Sequence, residues 1–264
     1  MKESSKSRTS RDTSFYARYF NGRTIDIGCG DDLVVPNAEP FDTQHGDADG
    51  ILRFRPAGSY DTAYSSHCLE HMRDVPRALA GWWGLVKAGG FLIVAVPDEN
   101  LYEQGFWPSL FNKDHKATFR LGGPSSWSPV SYEVCALMAG LPGSEPVSLA
   151  REDDGYIRTF RRRGGADKPR LRRFIRRGLR ALERRGLARR WIEVLSYAFA
   201  TLCRCPIDQT DQIVGSALAQ IEVIVRKGGG EIGAARWRHA REALGAEDSR
   251  SNHSGAVKRW IAPP

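Results

Sequence analysis

The sequence predicts an α/β fold with a parallel sheet, and three observations carry that prediction. Thr24 to Ile27 is a short strand-like run that ends directly on Gly28-Cys29-Gly30. Pro76 to Val86 reads as a helix, because Val75, Leu79, Trp82, Trp83 and Val86 keep one apolar face. Phe91 to Val96 is a continuous apolar run closed by Pro97-Asp98, as expected of a strand buried on both faces. Strand-like and helical stretches alternate in this way through residue 98, the pattern of a parallel sheet with crossover helices.

In chain order, residues 1–13 are rich in Ser, Lys and Arg and are expected to form a disordered tail. Ser14 to Tyr19 carries three aromatics and Arg18, which suits either a helix packed on the sheet edge or a flap over a ligand site. The first strand follows and runs into the glycine loop. Glycine is needed there because the backbone must turn tightly and approach a ligand closely. Asp26, two residues before Gly28, can reach the loop amides or a cationic ligand. Glu39-Pro40-Phe41-Asp42 is a short segment placing Asp42 fourteen residues beyond Gly28. An acid near the end of a second strand can bond a ribose diol, two carboxylate oxygens matching two hydroxyls; the other reading is a solvated loop acid.

Gly46-Asp47-Ala48-Asp49 ahead of Ile51 to Phe54 has the pattern of the next strand-to-loop transition. An Asp there can accept a hydrogen bond from the exocyclic amine of a base, with small Ala48 letting the ring approach. Tyr60 to Ser66 reads as a central strand with a polar end, followed by His67-Cys68-Leu69-Glu70-His71-Met72. Lys87-Ala88-Gly89-Gly90 is a helix stop and turn.

Composition narrows the class. The 264 residues suffice for one sizeable core, and 41% hydrophobic with 27% charged residues is ordinary for a soluble protein. Five cysteines without framework spacing point to a reducing compartment. Cys203-Arg-Cys205 is too close for the usual zinc spacing, so no metal is expected. The chain begins without a signal-peptide apolar core, and no apolar run reaches the ~18 residues that a membrane span needs. A cytoplasmic location is expected.

The net charge of +8 is concentrated. Between Arg161 and Arg190 stand thirteen arginines and one lysine against only Asp167 and Glu183. From Leu171, the positions Phe174, Ile175, Leu179, Leu182 and Leu187 keep helical spacing, although Gly178 and Gly186 each weaken a helix by up to ~1 kcal/mol. Residues 161–207 read as a helical insertion. It suits an anionic membrane surface, RNA or an acidic polymer, or a lid with a solvated basic face. Residues 208–228 resume the core with a final strand, and residues 229–264, rich in glycine, charge and serine, are expected to be mostly disordered.

Taken together, Asp26-x-Gly28-x-Gly30, Asp42, Gly46-Asp47-Ala48, Tyr60-Asp61 and Leu85-Val-Lys-Ala-Gly-Gly90 resemble the class I S-adenosylmethionine-dependent methyltransferases. Ala88 stands where that family usually has Pro. A narrower likeness, over Ser65 to His71, Pro97 to Gly105 and Phe111 to Lys116, is to type 11-like bacterial methyltransferase-domain proteins. A nicotinamide enzyme fits less well, because Gly28-Cys-Gly30-Asp-Asp-Leu33 lacks the third glycine of that fingerprint.

The resemblance implies a Rossmann-like, doubly wound, seven-stranded sheet with flanking helices and the basic insertion before its last strand. The core would span residues 14–160. It implies S-adenosylmethionine as cofactor, with Gly28, Cys29 and Gly30 offering backbone to its methionine part and Asp26 shaping the loop. Asp42 would take the ribose hydroxyls, Asp47 and Ala48 the adenine, and Ser65, Ser66 and His67 would line the site beside the sulfonium. A base is useful for a protonated nucleophile, and His115, in the polar loop Asn112-Lys-Asp-His-Lys116, and His67 are the catalytic candidates. His71 is expected to cap or pack the following helix. Asp98, Glu99 and Tyr102 either face a substrate or start a capped helix. The acceptor implied is a small molecule, sugar or glycolipid, in surface polysaccharide biosynthesis. The alternatives are methylation of RNA or protein, and a non-catalytic binding module.

Overall fold

The computed structural model describes residues 3–109, 111–123, 125–156, 169–188, 191, 194–195, 198–199, 217–228, 232–248 and 258–262. It divides into two compact units, one of Met1–Tyr156 with Ile213–Pro264 and one of Ile157–Gln212.

The first unit opens with helices α1 (Glu3–Ser10) and α2 (Thr13–Tyr19). Asp12 caps α2, its carboxylate accepting the Phe15 N–H at 2.9 Å. Then come β1 (Thr24–Ile27), β2 (Glu39–Phe41), a 3-10 turn over Ala48–Arg53, β3 (Tyr60–Ser66) and α3 (Val75–Leu85). Asp74 caps α3 and Pro76 sits in its first turn, where its missing N–H costs nothing. β4 (Val86–Pro97) leads through a turn at Glu99–Glu103 to the short pair β5 (Thr118–Arg120) and β6 (Ser131–Glu133). After these come α4 (Val134–Ala139) and β7 (Ser144–Glu152). α5 (Pro169–Arg184) belongs to the second unit; β8 (Gln220–Lys227), α6 (Ile232–Asp248) and β9 (Lys258–Ile261) return to the first.

The seven-stranded sheet has the order β2-β1-β3-β4-β8-β7-β9. Strands β2, β1, β3 and β4 are parallel, whereas β8, β7 and β9 each pair antiparallel with their neighbours. Successive strand residues face opposite sides, and the core divides accordingly. Ile25, Ile27, Ala63, Leu92, Val94, Val223 and Val225 join the buried faces of α3, α4 and α6. Tyr64, Ile93 and Ile224 join Tyr19, Phe20, Val34 and Ala38 on the other side.

The α/β class and the seven strands agree with expectation, but the strands are not all the expected ones. The transition at Ile51 to Phe54 yields no strand; Asp47 caps a 3-10 turn instead, accepting the Asp49 N–H at 3.1 Å. The seventh strand is β9, from the C-terminal stretch expected to be disordered. β9 pairs with β7 from Ser148 to Arg151, and Trp260 is buried. In the same stretch α6 buries Trp237, whose indole N–H donates to the Ser144 carbonyl at 3.2 Å. β8 is therefore followed by a further strand and is not the last.

The N-terminal expectation is likewise corrected. α1 docks by polar contacts that composition does not register: Ser5 gives its N–H and hydroxyl to Asp32 at 2.7 and 2.5 Å, and Arg8 donates to the Leu33 carbonyl. Arg11 is buried in an ion pair with Glu222, donates to the Tyr64 hydroxyl at 3.2 Å and stacks on Phe15.

In the second unit α5 carries exposed apolar side chains, with Phe174 77% and Leu182 40% accessible, while Leu179 is buried. The arginines from 161 to 163 and the expected resumption at 208–216 lie outside the described residues.

Candidate active site

A cleft of about 330 Å3 opens at the carboxyl ends of β1 and β3. It is lined by Gly28, Phe41, Asp42, Thr43, Gly46, Asp47, Ala48, His67, Cys68, His71, Met72 and Asp114. This is where ligands bind in open α/β sheets, because loops diverge beyond the strand ends.

The glycine loop is shaped by its own hydrogen bonds. Gly28 takes φ +76°, and a Cβ there would stand 2.5 Å from the Cys68 side chain. Gly30 takes φ +55° with nothing within 4 Å of where a Cβ would be, leaving open space over the loop. The Gly28 amide donates to the Phe41 carbonyl at 2.7 Å and the Gly30 amide to Asp42 Oδ2 at 2.6 Å. Of the Gly28, Cys29 and Gly30 backbone expected to meet a ligand, the Gly28 and Gly30 amides are thus committed within the protein. Cys29 is largely buried, and burial pushes its thiol up to about 11, so it is no nucleophile at neutral pH.

Asp42 is the loop's charged partner. Burial works against its charge, but the Thr43 and Gly30 N–H groups prevail and hold the carboxyl below its ordinary value. Missed by the sequence reading is His45, whose Nδ1 accepts the Asp42 N–H at 3.1 Å. An open glycine cradle beside a carboxylate held ionised fits a cationic, diol-bearing cofactor such as S-adenosylmethionine. Asp47 also lines the cleft, yet it is ion-paired with Arg73, which Asp49 grips as well at 3.0 Å. Ala48 accepts the Trp82 indole N–H at 3.0 Å, and this fixes the wall against α3.

Asp26 lies beneath the loop, where its carboxylate accepts the Val34 N–H at 2.6 Å. Burial pushes this carboxyl up to about 7, opposed by the Val34 N–H and reinforced by the charges of Asp32 and Asp42. The folded protein therefore keeps a proton that the unfolded chain releases near pH 4, so stability falls as pH rises from ~4 towards 7. Glu152, pushed up by burial and by Glu222, acts in the same direction. In Asp26→Asn the drop in Tm between pH 5 and pH 8 should be smaller than in wild type by scanning calorimetry. An unchanged drop would exclude Asp26 as its source.

Other expected site residues prove structural. Ser65 is fully buried and its hydroxyl donates to the Ile27 carbonyl at 3.0 Å, so it fastens β3 to β1 rather than lining the cleft. Ser66 is also buried outside the lining. Asp98 caps the turn that follows, accepting the Asn100 and Leu101 N–H groups and the Arg151 guanidinium. Glu99 gathers the hydroxyls of Thr118, Ser126 and Ser131. Tyr102 packs against His67, Phe111 and His115.

The histidines divide differently from expectation. His67 lines the cleft at φ +52°. Its Nε2 lies 3.0 Å from Gln220 Oε1 and its Nδ1 3.6 Å from Glu70 Oε1. His71, expected to pack a helix, lines the cleft instead. His115 is buried outside the lining, its ring 5.0 Å from that of His71 and its Nδ1 2.6 Å from Glu103. Burial keeps His115 from acting as a direct base on a substrate in the cleft. The pairing of Glu70 with these rings was missed; its one sequence signal is the run His67-Cys-Leu-Glu70-His71.

Residues 13–142 match the family model described as a methyltransferase domain. No curated protein sequence matches the chain. Among solved structures, the chain is similar to a SAM-dependent methyltransferase of Thermotoga maritima, at 19% identity over 57% of this chain and 73% of that one, with a TM-score of 0.39. It is also similar to a SAM-dependent methyltransferase of Archaeoglobus fulgidus, at 15% identity over 84% and 92% of the two chains, with a TM-score of 0.41. At these scores the fold rests on the topology described above rather than on the likeness. With a matching domain model, a glycine loop under a strand-end cleft and an ionised Asp42 beside it, the chain carries a methyltransferase domain of the class I type whose cofactor is S-adenosylmethionine.

Proposed function

We propose that the protein methylates a hydroxyl oxygen of a sugar or glycolipid, in surface polysaccharide biosynthesis. The observation behind this reading is that one cleft holds the cofactor elements, Gly28, Asp42 and Asp47-Ala48, together with the polar groups of His67, His71 and Asp114. A cluster of imidazole and carboxylate groups suits an acceptor rich in hydroxyls. Bound S-adenosylmethionine supplies a methyl group on a cationic sulfur, so the protein's task is to align the acceptor oxygen and receive its proton.

We assign the receipt of that proton to His67. The Gln220 amide donates to Ser7 Oγ at 3.0 Å and to Glu152 Oε2 at 2.7 Å, which leaves Gln220 Oε1 to accept from His67 Nε2–H. Nδ1 then carries the lone pair, and Glu70 stabilises the ring once it is charged. α5 supports a lipid-linked acceptor, because exposed Phe174 and Leu182 on an arginine-rich amphipathic helix match an anionic membrane surface. No helix among the described residues is long and apolar enough to cross a membrane, so the association would be peripheral.

The test is transfer of labelled methyl to free saccharides and to glycolipids in phosphatidylglycerol vesicles. Turnover is expected on a hydroxylated acceptor, higher on vesicles, and lower by roughly 10²–10⁴-fold in His67→Ala while cofactor still binds. Methylation of RNA or protein with none on any saccharide would replace this reading. Binding of cofactor without turnover on anything would favour a non-catalytic module.

A further inference from the structure

We propose that Glu70, His71 and His115 form a binding site for a divalent first-row transition cation at the edge of the cleft. Nothing in the sequence spacing suggested a metal, and the proposal does not depend on which acceptor is methylated. One ligand atom from each residue lies within 4.8 Å of the other two. His71 Nε2 and His115 Nε2 converge on the same oxygen, Glu70 Oε1, at 4.0 and 3.9 Å. Bonds of ~2.0–2.2 Å to nitrogen and carboxylate oxygen close around a point between these atoms after a small inward movement.

The state of each ring supports ligation. His71 Nδ1 faces two acceptors, Asp114 Oδ2 at 3.0 Å and the Asp114 carbonyl at 3.3 Å. Lys116 Nζ lies 3.3 Å from Asp114 Oδ1 and fixes the carboxylate in front of the His71 ring. His115 Nδ1 faces Glu103 Oε1 at 2.6 Å. Each imidazole thus has a carboxylate oxygen within hydrogen-bond distance of Nδ1 and turns Nε2 towards Glu70. This carboxylate–histidine arrangement orients metal ligands and raises their basicity. It arises twice here, on two rings facing one carboxylate.

The backbone holds the ligands in place before any ion arrives. Glu70 and His71 share the turn Leu69–His71. The Lys116 and Ala117 N–H groups donate to the Glu70 carbonyl at 2.7 and 3.2 Å, and Lys116 Nζ donates to the His71 carbonyl at 2.8 Å. The segment bearing His115 is thereby pinned to the turn bearing the other two. Two nitrogens and one oxygen suit Mn2+, Fe2+, Co2+ or Zn2+ and leave coordination positions open. Because His71 and Asp114 line the cleft, the ion would sit where an acceptor oxygen can reach it.

The test uses the full chain, stripped with chelator and titrated with Zn2+ by calorimetry and with Co2+ by visible absorption. About one equivalent should bind, and Co2+ should show the d–d bands of an ordered nitrogen and oxygen site. His71→Ala, at a partly exposed position, and Glu70→Gln should each weaken binding by at least ~100-fold, and Asp114→Asn by roughly 10–100-fold. Near-ultraviolet circular dichroism establishes that each variant is folded. Absence of stoichiometric binding by the wild-type chain would overturn the proposal. So would a site whose affinity folded His71→Ala and Glu70→Gln both leave intact.

Discussion

Asp42→Ala is expected to weaken S-adenosylmethionine binding about 100-fold or more in titration calorimetry. The carboxylate does two jobs that alanine cannot do. It accepts the Gly30 and Thr43 N–H groups, each at 2.6 Å, and so sets the loop. It also lines the cleft as an ionised acceptor, and on the proposed reading it takes the ribose diol. Hydrogen bonds to a charged group contribute ~1.5–3 kcal/mol each, and ~2.7 kcal/mol is already a factor of about 100. Asp42→Asn keeps one acceptor oxygen and should fall between the two. Equal affinity in wild type and Asp42→Ala would move the cofactor away from this loop.

Arg11→Ala should have the largest effect on stability, with a loss of ~3–5 kcal/mol in urea unfolding. Removing the guanidinium leaves Glu222, 3% exposed and beside Glu152, buried without its cation. It also removes stacking on Phe15 and Tyr64. Arg11→Met paired with Glu222→Gln should recover much of the loss, since an isosteric uncharged pair avoids the desolvation cost. A loss below ~1 kcal/mol in Arg11→Ala would mean that the N-terminal segment is not part of the cooperative fold.

The parts of this structure that were legible in the sequence are those encoded locally. The glycines after Ile27, the apolar run at Phe91 to Val96 and the spacing of Leu79, Trp82 and Trp83 each state their own conformation. What was not legible depends on partners distant in sequence. Arg11 in a polar tail looks solvated until Glu222 is folded against it, 211 residues away. Trp237 and Trp260 were the available signals that the C-terminal stretch packs, and the surrounding glycine and charge masked them. At the site, Asp47 caps a 3-10 turn, whereas the glycine loop and Asp42 follow the ends of β1 and β2, so their place beside the cleft could be read from the sequence. The roles of His71 and His115 could not, because 44 positions separate two rings that stand 5.0 Å apart.

The strands at the two margins of the sheet bear on how the protein behaves in concentrated solution. An exposed sheet margin is a template on which another chain can add, and natural proteins guard it with brevity, proline or charge. Here one margin is β2, three residues long with Pro40 at its centre and so one amide short. The other is β9, four residues long and opening on Lys258-Arg259. Without β9, the nine-residue β7 would be bare. The strand Lys258–Ile261 thus guards against aggregation, and removing it would trade a paired strand for a sticky margin.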